Sequence, residues 1–522
     1  MAPLSTPTRA YAVIPHGATT LASTSPRSVK RRISPSGIQS PSKRSLLLVS
    51  SSGNPPQAGQ RLQIGEYCSS KQLFPNQQAQ IIEEQASWHT NNVLVPFDLR
   101  DPTVATDEGE IKRMLHNIFP ETIGVMESVP RLWFNFYVAQ LPSTPWPVTV
   151  GGLPITLRTD TQGRGPLFPL RRQGRMNISI CEEFNGRAEH YLADDDFRLL
   201  VRAVGRHFQT YHPNVRLCEV IMTMQNSIYV VLDGDNLSVN TVAHLLPGKI
   251  ARCFVGYLHE SELHRPARPK DSMAMRDLRP DPFSGVSDNT AYDTLRPGVM
   301  VWSDQVLTHA HPITWTTTAG VLVKNNNNQA FMTGASHGFG EAGIIYQPQP
   351  GNTKRIIGQA VQEINLTDIA LVQLRDSVDF VNITFEDDNG NVPNFTRLFG
   401  EHPDDLLPKS KFPEMVFLNS PFSGIMEGTV VAKSLAIASK YPAEEEIHFI
   451  PYEWAYTGQI EDAGESPRAP PNGVCGSAIW DDKGVVTGFF QYHISKGMFA
   501  GFYASVAASK LVKAGFKLAL YS

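Results

Sequence analysis

Cys475 lies in the stretch PNGVCGSAIW (471–480), just after two prolines and just before an apolar run. Glycines stand two residues before it and one after it, Gly473 and Gly476. Such glycines allow a tight turn that exposes the side chain between them and aims backbone N–H groups inward. A thiol presented in this way attacks a carbonyl once a base has taken or shares its proton. The N–H groups of Gly473 and Cys475 are then placed to hold the oxyanion that forms. The competing reading is a small residue chosen for packing in a crowded turn. Ser477 is the second-choice nucleophile; Cys475 and Ala478 occupy the slots where its own flanking glycines would stand.

A base and its orienting carboxylate lie upstream. His337 ends the strand-like run QAFMTGASHG, among the small residues Gly334, Ala335, Ser336 and Gly338, which let its ring face a cleft. The four asparagines 325–328 before that run mark a turn, because Asn tolerates the left-handed conformation. Asp368 directly precedes the apolar run Ile369, Ala370, Leu371 and Val372. A half-buried carboxylate there suits the orienting of an imidazole and the stabilising of its charged form. His309 and His311 have a metal-like i, i+2 spacing, but no Cys or His partner lies near in sequence, so no metal site is expected.

Together the segments TGASHG, TDIALVQL and GVCGSA resemble the chymotrypsin-like (trypsin-like) peptidase superfamily, with Cys475 in the serine slot as in picornaviral-type cysteine peptidases. The order His, Asp, nucleophile is that of the family, at intervals of 31 and then 107 positions. The resemblance covers roughly residues 298–515 and implies two six-stranded antiparallel β-barrels with the site in the crevice between them. It implies a cysteine (serine-like) endopeptidase that cleaves peptide bonds through His337, Asp368 and Cys475 and a covalent acyl-enzyme, without a cofactor. It also places Gln491, Tyr492 and His493, on the strand-like run GVVTGFFQYH (484–493), along the wall of the first specificity pocket, with its base near Ala469. No Asp occupies that base, so preference for Lys or Arg is not expected. Val474 stands where the serine enzymes carry an Asp used in activation, so no activating N-terminal cleavage is expected. The rival is a catalytically inactive protease-like domain that binds a peptide or protein without turnover.

These residues need a frame. The chain has 522 residues, enough for several packed cores, with 41% hydrophobic and 18% charged residues. Its net charge of −4 gives no reason to expect nucleic acid, and no apolar run reaches the ~20 residues that span a bilayer. The five cysteines are scattered, which argues against disulfides and structural zinc and for a reducing compartment. Residues 1–60 hold basic side chains and no Asp or Glu, with abundant Ser, Thr and Pro, and read as a disordered tail. No secretory signal is read there, so an intracellular address is expected: cytoplasmic, nuclear through the KRR cluster, or mitochondrial.

Residues 90–265 read as an α+β domain of unassigned role. Ile111, Met114, Leu115 and Ile118 recur with helical spacing after Thr106, a candidate cap, and Phe197, Leu200, Val201, Val204 and Phe208 do so after three aspartates. Strands are expected in 131–141, 215–224 and 227–233, with the aromatic run Trp133–Tyr137 as sheet core and Cys218 and Cys253 as inert core residues. Residues 266–297 read as a linker, and 298–522 as the β-rich peptidase domain, ending in a helix over 504–520.

Overall fold

The computed structural model describes stretches of the chain between residues 92 and 520, the longest interruptions being 185–193, 265–286, 407–414, 438–445 and 456–472. The expectations for residues 1–60, for His309 and His311, for Ala469 and for most of the linker lie outside the described residues.

Two large sheets carry the C-terminal half. The first has eight strands: β4 (Met300–Gln305), β5 (Ile313–Thr318), β6 (Leu322–Lys324), β7 (Ala330–Ala335), β8 (Ile344–Gln349), β9 (Thr353–Ile364), β10 (Ile369–Leu374) and β18 (Lys517–Leu518). Their order is β5-β4-β8-β9-β10-β7-β6-β18, antiparallel throughout. Only residues 319–321 separate β5 from β6, so strands at opposite ends of the order are tied by a short piece of chain and the sheet must curl. Alternating apolar residues fill its inside, among them Val301, Met332, Ile345, Ile357 and Val372.

The second sheet has thirteen strands and contains β11 (Met415–Ser420), β12 (Gly424–Val430), β13 (Ala432–Ile437), β14 (Glu446–Ala455), β15 (Ala478–Trp480), β16 (Val485–His493) and β17 (Tyr503–Ala507). Because β17 pairs with both β14 and β16, pairing runs in a ring through β11, β12, β14, β17, β16 and β15. The expected pair of separate six-stranded barrels is corrected in two ways. Among the described residues ladder pairing does not close the first sheet, and the second continues through β13 into the N-terminal half.

That continuation is made by β1 (Arg216–Thr223), which pairs antiparallel with β13, followed by β2 (Ser227–Asp233) and β3 (Cys253–His259). Helix α2 (Asp194–Tyr211) packs Phe197, Leu200, Val201, Val204 and Phe208 against this surface, where Leu435 of β13 joins the same core. The strands expected in 215–224 and 227–233 are β1 and β2. Phe134 and Phe136 are buried core residues of the strand Phe134–Val138, and Cys218 and Cys253 are buried as expected.

Two local expectations are corrected. Helix α1 spans Gly109–His116, and Thr106 does not cap it: its hydroxyl donates to Glu127 (2.9 Å). The helix expected over 504–520 shrinks to α3 (Ser509–Lys513), because residues 503–507 are needed as β17 and Gly515, at φ 86°, ends the turn. The end of the predicted linker is also held in place. Asp288 is buried, accepts from the Tyr292 hydroxyl (2.7 Å), and its N–H donates to the Pro421 carbonyl (2.7 Å).

Candidate active site

The hairpin β6–β7 and its neighbour β10 bring the first two residues together. Register pairs Ala335 with Ile369, so the next positions outward, Ser336 and Asp368, also face each other. Ser336 N donates to the Asp368 carbonyl (2.8 Å), and the chain then turns through a single 3-10 turn, Ser336–Gly338. The interval of 31 positions from His337 to Asp368 is thereby reduced to contact. Asp368 Oδ1 accepts from the His337 N–H (2.8 Å), and Oδ2 engages His337 Nδ1. Asp368 holds a left-handed backbone, φ 63°, which short polar side chains tolerate better than most.

Cys475 arrives from the second sheet in the turn 473–476. Gly473 and Gly476 have φ of 97° and 87°, where any L side chain is strained. Space forbids one as well. A Cβ on Gly473 would lie 2.5 Å from the Phe422 ring, and one on Gly476 2.7 Å from the Thr318 carbonyl. Two threonines of β5 pin the turn to the first sheet. Thr317 Oγ1 and Thr318 N donate to the Cys475 carbonyl (2.6 and 3.2 Å), and Thr318 Oγ1 donates to the Gly473 carbonyl (2.8 Å).

Side-chain accessibility separates the two candidate nucleophiles. Ser477 is fully buried and its hydroxyl donates to the Val474 carbonyl (2.7 Å), which leaves it no attacking position. Cys475 is only partly buried. Its thiol lies close enough to His337 to act on the imidazole electrostatically, and 3.0 Å from the Gln491 carbonyl, to which it donates. Nδ1 of His337 is occupied by Asp368, so Nε2 is the nitrogen left for the thiol.

The electrostatics follow from this enclosure. Burial opposes a charge on His337, but the Asp368 carboxylate and then Cys475 outweigh it and raise the imidazole to about 10. Burial pushes the Cys181 thiol up to about 11, and burial likewise raises Cys253, partly offset by Arg100.

The peptide units of the turn have a definite polarity. The Val474 carbonyl points inward and accepts from both the Ser477 hydroxyl and the Ser477 N–H (3.1 Å). In a trans peptide the N–H of the next residue points the other way, so the Cys475 N–H is aimed outward. Among the described residues neither it nor the Gly473 N–H finds an acceptor.

The three residues expected along a pocket wall have different places. Gln491 is at the centre: its carbonyl faces Cys475, and its side-chain amide donates to the Thr367 carbonyl (3.0 Å), next to Asp368. A bulge makes this geometry, since β16 pairs with β17 through Phe490 and then Tyr492, skipping Gln491. Tyr492 packs partly buried between two cores, and His493 stacks on Tyr503 with ring centroids 4.6 Å apart. Burial holds the His493 imidazole below its usual range. Sequence reasoning missed Thr317, Thr318 and Phe422. Each acts through the path of the backbone in three dimensions, and a Thr-Thr-Thr run carries no spacing signal of its own.

Among the described residues no cluster of three or more His, Cys, Asp or Glu side chains could hold a metal ion, and no helix is long and apolar enough to cross a membrane. No family model matches the chain, and no curated protein matches it. Solved structures do match. The Nocardiopsis protease is 14% identical, with 43% of this chain and 98% of that chain covered and a TM-score of 0.28. Protease A of Thermobifida fusca is 10% identical, with 44% and 100% covered and a TM-score of 0.28. The chymotrypsin of Cellulomonas bogoriensis is 14% identical, with 44% and 100% covered and a TM-score of 0.26. By name, two of these three are proteases and the third is a chymotrypsin.

Proposed function

We propose that this protein is a peptidase that cleaves peptide bonds by acyl transfer, with Cys475 as nucleophile, His337 as base and acid, and Asp368 as the orienting carboxylate. The observation that carries the reading is the continuous line of side chains Asp368–His337–Cys475, drawn from two sheets and ending in a partly exposed thiol. His337 takes or shares the thiol proton, and the sulfur attacks the substrate carbonyl carbon. The outward-aimed N–H of Cys475, with that of Gly473, holds the oxyanion. His337 then protonates the leaving amine, and water hydrolyses the thioester by the same route in reverse. The substrate is a protein or peptide, and the chemistry requires no cofactor.

One contact favours a second reading. The thiol's donation to the Gln491 carbonyl is the arrangement of a neutral, resting cysteine, as a peptide-binding module without turnover would show. The rate of Cys475 alkylation by iodoacetamide, followed from pH 5 to 9 by mass spectrometry of its peptide, separates the two. A peptidase labels fast at pH 6 and loses that rate in His337→Ala. An ordinary thiol labels only as the pH nears its free value of about 8.5, equally in both proteins, and that result would replace the peptidase with the binding module.

A further inference from the structure

The turn that carries His337 has little in its own sequence to stiffen it, being one 3-10 turn among Gly334, Ala335 and Gly338. Asp368 sits at a left-handed backbone position, which the surroundings must enforce. Strand β9 supplies a group that touches both segments. Its pairing with β10 steps from Ala360–Val372 to Gln362–Leu371 and leaves Val361 out of the ladder, half exposed to solvent. A bulge of this kind resets the faces on which later residues lie. Beyond it Glu363 pairs with Ala370, and its carboxylate spans the end of the hairpin. Glu363 Oε2 accepts from the Ser336 hydroxyl (2.9 Å), and Oε1 faces the Asp368 N–H (3.4 Å). One side chain therefore grips the residue before the base and the backbone of the residue that orients it.

We propose that Glu363 is a positioning residue, clamping the Ser336–His337 turn to the Asp368 segment so that the imidazole meets the Cys475 thiol. The proposal rests on the peptidase reading above. Glu363 lies behind the pair and touches no reacting atom; its effect passes through Ser336 and Asp368. The chemistry it needs is an acceptor at each of two oxygens, so the amide oxygen of a glutamine at this position serves the stronger contact, to Ser336.

The test is the iodoacetamide labelling rate of Cys475 in the full chain, for wild type, His337→Ala, Glu363→Ala and Glu363→Gln. At pH 6, Glu363→Ala is expected to lose about tenfold or more, as a misplaced base does, while near pH 9, above the free-cysteine value of about 8.5, the loss is small. Glu363→Gln is expected to keep at least about half of the wild-type rate at pH 6. Wild-type labelling by Glu363→Ala at pH 6 would overturn the clamp and leave the peptidase reading standing. An equal loss in Glu363→Gln would overturn it too, by assigning the effect to charge. A wild-type rate no faster than that of His337→Ala would defeat the peptidase reading itself and the clamp with it. Should Glu363→Ala lose its thermal transition, Ser336→Ala removes the same contact from the other side. It is expected to slow labelling at pH 6 about threefold or more, and no slowing would overturn the proposal.

Discussion

Asp368 does two jobs whose costs can be measured apart. Its carboxylate engages the His337 ring and N–H, and its backbone takes φ 63°. Asparagine tolerates that backbone, so Asp368→Asn removes the charge alone. It is expected to lower kcat/KM about a hundredfold or more with an unchanged fold, and a wild-type turnover rate would deny Asp368 its orienting role. Asp368→Ala adds strain and is expected to lose about 1–2 kcal/mol more in urea denaturation than Asp368→Asn. Cys475→Ala is expected to abolish cleavage, and Cys475→Ser to retain weak activity at most; full activity in Cys475→Ala would remove the nucleophile assignment. The raised imidazole has a signed consequence for stability. Folded His337 titrates at about 10, against an ordinary value of about 6.5, so its contribution is complete below pH 6.5 and is lost as the pH rises through 10. The urea midpoint should therefore fall between these values, and more shallowly in Asp368→Asn. The candidate residues stood out in the sequence because His337 and Cys475 lie among small residues and Asp368 directly precedes an apolar run. Glu363 was not, because its relevance depends on a bulge, and a one-residue shift in pairing leaves no trace in composition.

Turns and bulges, rather than strands, aim the site. The glycine turn 473–476 is held by Thr317 and Thr318 below it and by Phe422 beside it. Gly476→Ala must both strain a φ of 87° and push against the Thr318 carbonyl, so it is expected to cost about 2 kcal/mol or more and to slow Cys475 labelling. A denaturation midpoint equal to that of wild type would show that the turn is softer than its contacts suggest. The strands themselves were readable from alternation and from the asparagine turn. The terminal segment misled because ASVAASKLVKAGFKLAL has good helix formers, yet the ladder claims Tyr503–Ala507 on two sides, from β14 and from β16. Tertiary pairing outweighed local propensity there. Gln491 shows the same limit, since the skipped ladder position turns an expected wall residue into a contact of both Cys475 and the Asp368 segment.

The whole molecule is organised around an unexpected seam. Strand β1 of the N-terminal half pairs with β13 of the second sheet, and Tyr229, Leu258 and Leu263 share a core with Ile494 and Phe499. Gly497 lies so close to the Glu262 carbonyl that a Cβ would come within 2.4 Å of it. The segment that continues from β16 is thus supported by the α+β unit. Phe499, whose ring meets Tyr229 edge-on at 5.7 Å, is expected to cost about 3–5 kcal/mol when changed to Ala, read as a fall in the urea midpoint. For the same reason a fragment beginning at residue 287 is expected to aggregate or to lack a cooperative transition, and a soluble, cooperatively melting fragment would show the seam to be dispensable. Composition suggested a boundary near 265 because the linker is polar and Pro-rich, and no local signal reveals which distant strand a sheet edge will accept. A last consequence concerns timing. Leu518 of β18 pairs with Val323 in the hairpin that leads to His337. The first sheet is therefore unfinished until residue 518 has left the ribosome. Until then a nascent chain carries the histidine, the aspartate and the cysteine without the strand that completes their frame, so the proposed cleavage is expected to begin only after residue 518 has emerged.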